Sequence, residues 1–409
     1  VSTLWPSLLI IALLMVTDIG SSAAILTASF GNQVVVMMIF ILAFCGAIED
    51  AKIYDYIARW ILSLKIMNGR PWIFTAVMCF GIYFLGILSW IPMTFFFWTM
   101  LYTAFDMLGM PRDCKYAKLM YFAIPSIAFL GSFVLPFQGM ALILTGTVNA
   151  IIPGSTLNNG VYFLIINAIN LTVVLLWILA MKFIFRPDVT SLKQISSNLF
   201  NLNPLPPMSS VQKFLMVYFF GTLLLLFAPS FLPAQWALTV LLKKLGSVGI
   251  LFVMLSPLFL IRREGKPVAD FMSLAGSKIV WSLVFLCAAA MVLSSLLTNE
   301  ATGINKLMSS LLGALFAGKS EFVFIAIICA ITLFLTNLTN NGVVAILIVT
   351  VSCMFIGNYD LNPMSLVVLV AFTADIGYLL PASSMAGAVI YGNPYLKATD
   401  IYIYAITIV

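Results

Sequence analysis

Leu335-Thr-Asn-Leu-Thr-Asn-Asn-Gly342 interrupts a chain that is otherwise apolar on both sides, 322–335 before it and 343–351 after it. Thr336, Asn337, Thr339, Asn340 and Asn341 crowd into this stretch, and hydrogen-bonding side chains at membrane depth are costly unless they meet each other, water or a ligand. Asn340-Asn341-Gly342 has turn-forming residues and reads as a hairpin tip. A second interruption follows at Leu380-Pro-Ala-Ser-Ser384. The same pair is written earlier, at Leu88-Ser-Trp-Ile-Pro-Met-Thr94 and at Leu135-Pro-Phe-Gln-Gly139. Irregular backbone within a membrane survives only where protein or a cavity protects it. Paired interruptions at matching places in two halves point to the binding site of a secondary transporter.

The composition sets the environment. The chain is 63% hydrophobic and 8% charged, with a mean hydropathy of +1.12. A soluble domain cannot hide that much apolar surface, so the chain reads as an all-α polytopic membrane protein, multi-pass in the cell membrane, with room for about ten crossings or half-crossings. The net charge of +6 is scattered over short loops: Lys65 and Arg70; Arg112, Lys115 and Lys118; Arg262, Arg263 and Lys266. Scattered loop cations set topology and place those loops on the cytoplasmic side; they form no basic run of the kind nucleic acid requires. The chain has no His, and its six Cys are dispersed, so neither a metal cluster nor a nucleophile–base pair is available and an enzyme is excluded. Val1 is followed almost at once by an apolar segment, and Val409 lies inside another, so residues are expected to be missing at both ends.

The organisation expected is two inverted repeats, 1–187 and 213–409, joined by a polar, Pro-rich linker at 188–212. The first repeat carries a re-entrant hairpin near 71–108 and a broken helix near 119–150; the second carries a hairpin near 321–352 and a broken helix near 362–393. Residues 50–64 read as an interfacial amphipathic helix, with Ile53, Tyr56, Ile57, Trp60 and Ile61 on one face. Residues 302–318 are a weaker counterpart in the other half. Lys243, Lys244 and Gly246 punctuate 235–261, which is not expected to be a simple span.

Chemistry concentrates at the four breaks. Thr339, Asn340 and Asn341 sit at a hairpin tip, where side-chain amides and helix N-termini suit an anion; the plain alternative is a polar clamp between helices. Pro381 removes a backbone donor and frees a carbonyl upstream, and Ser383 and Ser384 supply hydroxyls just after it; small-residue packing is the alternative there. Thr94 and Gln138 are the polar side chains nearest the first-half breaks. No break contains a cationic residue, so anion binding would rest on helix dipoles, amides and hydroxyls. Asp375 stands alone in 366–380, a carrier of coupling protons or a cation ligand by default, or else paired with a nearby Lys; Asp18 is a weaker case.

The order of these features resembles the divalent anion:sodium symporter family of dicarboxylate, citrate and sulfate carriers. The likeness covers nearly the whole chain: Phe30-Gly-Asn32, Ala58-Arg-Trp60 followed by Gly69-Arg-Pro-Trp72, Arg186-Pro-Asp-Val189, and Gly265-Lys-Pro267 ahead of Trp281. The family's Thr-Ser-Asn-Thr tip falls on Thr339-Asn340-Asn341-Gly342, keeping Asn341. The first-half tip falls on Pro92-Met93-Thr94, where only Thr94 matches, and the later Ala-Thr-Pro-Pro-Asn falls on Ser383–Gly387. The resemblance implies a scaffold plus a transport domain, elevator-type movement, a homodimer, and a small anionic substrate, di- or tricarboxylate. It also implies sodium at Thr339, Asn341 and carbonyls near Pro381, with no other cofactor. Met93 cannot replace an Asn as a ligand, and Asp375 stands where typical members carry Ser, so sodium coupling is expected to be reduced or replaced. The alternatives are a sodium-independent or proton-coupled exchanger, and a transport-dead sensor or channel on the same fold.

Overall fold

The computed structural model describes residues 4–17, 20–195, 207–263, 266–297, 303, 316, 318–381 and 383–408. Seventeen helices carry the fold among these residues: α1 Leu4–Val16, α2 Ser22–Ser29, α3 Gln33–Asp50, α4 Ile53–Leu62, α5 Pro71–Met107, α6 Lys115–Gly131, α7 Gly139–Ile151, α8 Asn159–Ala180, α9 Ser210–Phe231, α10 Ala237–Leu260, α11 Phe271–Ser277, α12 Trp281–Leu297, α13 Glu321–Leu338, α14 Asn341–Phe355, α15 Ser365–Asp375, α16 Met385–Tyr391 and α17 Ala398–Ile408. Seven stretches are long and apolar enough to cross a membrane, and the bent pair α11–α12 would make eight. Helix is the form in which such a chain satisfies its own backbone in lipid.

Pro92 has no N–H to offer the Leu88 carbonyl, and Ser89 just after that carbonyl is extended (φ −164°, ψ 100°). The chain reverses there. A methyl placed on Gly81 would sit 3.6 Å from Phe97 Cζ, whereas sixteen residues of straight helix span about 24 Å. Tyr116 closes the argument: its hydroxyl is 2.8 Å from Thr75 Oγ1 near one end of α5, and its ring is 6.1 Å from that of Phe105 near the other. So α5 is a helical hairpin turning at Ser89, and α6 packs across both arms.

That packing is backbone on backbone. A methyl on Gly86 would lie 2.3 Å from the Ala128 carbonyl oxygen, and one on Gly131 would lie 2.4 Å from that of Tyr83. Backbone atoms cannot step aside as a flexible side chain can, so Gly86→Ala is expected to destabilise the α5–α6 pair by about 1–3 kcal/mol. A detergent melting curve superimposable on the parent's would refute this contact.

A second pair of helices is joined by a short polar turn. Thr339 and Asn340 alone connect α13 to α14. Helix α15 stops at Asp375, an irregular stretch follows, and α16 begins at Met385. Helices α6 and α7 flank the corresponding irregular stretch at 132–138. The main core draws on both halves, joining α5–α8 to α13–α17. A second core joins α3, α9, α10 and α11, and a third joins α1, α2, α3 and α12.

Details outside the breaks refine the sequence reading. Helix α10 is broken at Gly246 (φ 64°), a conformation glycine adopts freely. On α4, Ile53 and Ala58 are buried while Trp60 is 65% exposed, so its indole turns outward from the core rather than inward with Ile57 and Ile61. The linker starts anchored rather than solvated: Leu192 and Ile195 are buried, and the Ile195 carbonyl accepts the Gly69 N–H at 3.0 Å. Residues 196–206, Asp18, Ala382 and all of 302–318 except Gly303, Phe316 and Gly318 lie outside the described residues.

Candidate functional site

At the α13–α14 turn Thr339 is extended and Asn340 caps α14, its Oδ1 accepting the N–H groups of Gly342 at 3.0 Å and Val343 at 3.2 Å. Thr339 and Asn340 are exposed, whereas Asn341 is buried and its N–H donates to the Ser383 carbonyl at 3.0 Å. The turn is therefore docked onto the α15–α16 break.

Thr336 and Asn337 do the docking. Thr336 Oγ1 donates to the Ala374 carbonyl at 2.7 Å. Asn337 Nδ2 donates to Leu333 at 2.8 Å and to Ile376 at 3.2 Å, and its Oδ1 accepts the N–H groups of Tyr378 and Leu379, both at 3.1 Å. For these two residues the clamp reading holds. A methyl on Gly377 would meet the Thr336 carbonyl oxygen at 2.9 Å, which explains glycine at the point of closest approach.

Pro381 has no N–H to donate, and the Gly377 carbonyl lies in the irregular stretch just before it. That carbonyl is not left open: Ser383 Oγ reaches it at 2.9 Å and Ser384 Oγ at 2.6 Å. Ser383 Oγ also lies 2.6 Å from the Leu380 carbonyl, and Ser384 Oγ accepts the Gly387 N–H at 2.9 Å as the cap of α16. Both serines are buried and turn their protons inward, so what the break presents to a ligand is the backbone edge near exposed Pro381 rather than hydroxyl donors.

Two long helices begin side by side here. A methyl on Gly342, the second residue of α14, would lie 3.1 Å from Met140 Cε, and Met140 is the second residue of α7. Gln138 precedes α7, half-buried, with Oε1 3.5 Å from Cys45 Sγ. The Asn341, Gly342 and Val343 N–H groups of α14 are already bonded, so what the adjoining N-termini offer a carboxylate, sulfate or phosphate is their positive dipole ends.

Thr94 is buried in the second arm of α5, with its hydroxyl bonded to the Trp90 carbonyl at 2.8 Å. The residue at the first-half turn is Ser89, three positions before the proline, because a proline disrupts the helix upstream of itself. Ser89 Oγ donates to Glu49 Oε2 at 3.2 Å, and Lys278 Nζ is 2.9 Å from both Glu49 Oε1 and Asp50 Oδ1. Sequence reasoning missed these four residues; the available signal was Glu49-Asp50 closing an apolar run, with Lys278 between two apolar segments. Asp375 ends α15 at 2% exposure, and its Oδ1 has no hydrogen-bond partner. Among the described residues no three His, Cys, Asp or Glu side chains come together, so a metal ion here would rest on neutral oxygens such as Thr339, Asn341 and backbone carbonyls.

The family of the sodium:sulfate symporter transmembrane region matches residues 115–409, from α6 to the last residue. The chain belongs to this symporter family. The symporter match starts beyond the α5 hairpin, the part in which the first-half tip departs most from the family pattern. The sodium-dependent low-affinity dicarboxylate transporter 1 of Caenorhabditis elegans is 23% identical over 124 residues, 30% of this chain. The matched stretch spans 21% of that relative's length. The symporter family is one of transporters rather than enzymes, and this member is a multi-pass integral membrane protein.

Proposed function

We propose that this symporter-family member is a secondary carrier of small anions, di- or tricarboxylates first among them. The observation that carries this is the adjoining N-termini of α7 and α14, with Asn341 and Gly342 at one and Gln138 and Gly139 at the other. Thr339 and Asn340 complete the anion site. Sodium binds on the second-half side, at Thr339, Asn341 and nearby carbonyls. The helical hairpins at Ser89 and at Thr339–Asn340, each followed by a broken helix, support an inverted repeat and an elevator-type movement of the hairpin-bearing helices. The name of the nematode relative supports both dicarboxylate and sodium.

Counterflow in proteoliposomes tests the reading. Vesicles loaded with unlabelled succinate and offered labelled succinate outside are expected to accumulate label in sodium buffer and far less in choline. Equal uptake in both would replace symport with sodium-independent exchange. Conductance without counterflow would make the protein a channel.

One observation favours a second coupling route. Asp375 ends a helix, where the dipole already disfavours a carboxylate, and its Oδ1 is buried without a partner. Such a group holds a proton or a free cation. Asp375→Asn is expected to abolish any pH dependence of uptake while the protein still folds; pH dependence unchanged in that variant would discard the proton route.

A further inference from the structure

The sequence showed no cation in any of the four breaks, yet the fold delivers one to the first hairpin turn. Lys278 follows α11 at a bend where α11 and α12 turn by 83°. Its ammonium is 2.9 Å from Glu49 Oε1 and 2.9 Å from Asp50 Oδ1, the last two residues of α3. Two carboxylates at a helix C-terminus oppose the dipole as well as each other, so they need a counter-charge. The other oxygen of Glu49 accepts from Ser89, the residue on which α5 reverses. One carboxylate therefore ties the bend of α11–α12 to the turn of α5.

The lysine's seat is built rather than incidental. A methyl on Gly46 would lie 2.5 Å from Lys278 Cβ and 2.7 Å from Cγ, so glycine on α3 admits the stem. Cys45, one turn before Glu49 on the same face of α3, meets Gln138 at 3.5 Å. This face thus touches both first-half breaks, Ser89 and Gln138. Lys278 and Glu49 are only partly exposed, at 21% and 30%, while Asp50 is open at 51%. Partial burial strengthens an ion pair and makes an unpaired carboxylate expensive.

We propose that Lys278 is a positioning residue, an internal counter-cation that holds Glu49 against Ser89 and so fixes the first hairpin turn without a free monovalent cation. The inference deepens the carrier reading, since it assigns dependence on external sodium to the second-half site alone. With Lys278 removed, Glu49 and Asp50 must recruit a cation from solution.

The test is thermal unfolding of the purified full chain in sodium chloride and in choline chloride at equal ionic strength, for the parent, Lys278→Ala, Lys278→Arg and Glu49→Gln/Lys278→Ala. Lys278→Ala is expected to melt lower in choline and to regain roughly 2–4 °C more in sodium than the parent does, as a ligand-stabilised protein of this kind should. Lys278→Arg is expected to follow the parent, and the double variant to lose the added sodium response. An equal sodium response in the parent and Lys278→Ala, or a Lys278→Arg that behaves like the alanine variant, overturns the proposal. Ser89→Ala keeps both ion pairs and provides a second measure: a lower uptake rate at unchanged sodium response is expected, and an unchanged rate removes the link to the turn. The melting assay reads this inference even if the parent carries no succinate, so failure of the carrier reading is seen separately.

Discussion

Asn337→Ala is expected to cost about 3–5 kcal/mol of stability and to leave little transport-competent protein. The side chain is 4% exposed and makes four hydrogen bonds, three of them to the irregular stretch after α15. Alanine would orphan the N–H groups of Tyr378 and Leu379 and the carbonyl of Ile376. Each buried orphan costs about 1–3 kcal/mol, and no water is at hand at membrane depth to take over. Asn340→Ala provides the contrast. That asparagine is an exposed cap, and its loss is expected to cost about 1 kcal/mol. Melting temperatures of the two variants in the same detergent decide the matter: similar losses would show that Asn337 is not the clamp described.

Asn341→Asp is expected to separate stability from function. Asn341 is the first residue of α14 and 8% exposed, so the helix dipole offsets part of the cost of burying a carboxylate there, and the fold is expected to survive with a lower melting temperature. A fixed negative charge at the proposed anion site would repel a carboxylate substrate, and a penalty of about 3 kcal/mol there corresponds to roughly a 100-fold loss of affinity. The expected outcome is a folded protein whose counterflow of labelled succinate needs far higher substrate concentrations. Near-parent affinity would move the anion elsewhere in the molecule.

Much of this was legible along the chain. Prolines and clustered asparagines at spaced positions marked the breaks because those residues act on the backbone locally: Pro92 and Pro381 withhold a donor, and Asn340 caps the next helix. The family resemblance covered nearly the whole chain, and the symporter match covers 115–409. The site residues were read less evenly. Thr336 and Asn337 looked like Thr339 and Asn341, yet the first two are spent on carbonyls and N–H groups of the end of α15 and the irregular stretch after it. Ser383 and Ser384 looked like ligand donors, and in the fold both hydroxyls lie on the Gly377 carbonyl. Thr94 was singled out for its closeness to Pro92, but the turn forms upstream at Ser89.

The sequence by itself determined that this chain lives in a bilayer as helices, where those helices break, and which family it joins, because hydropathy and backbone propensity act over a few residues at a time. Only the tertiary structure decided which polar groups at the breaks are consumed and which stay free. The hydrogen bond that the Tyr378 N–H donates to Asn337, or the pair that Lys278 and Ser89 donate to Glu49, joins residues far apart in the chain. Such pairings follow from how helices pack in space, and no spacing along the sequence encodes them.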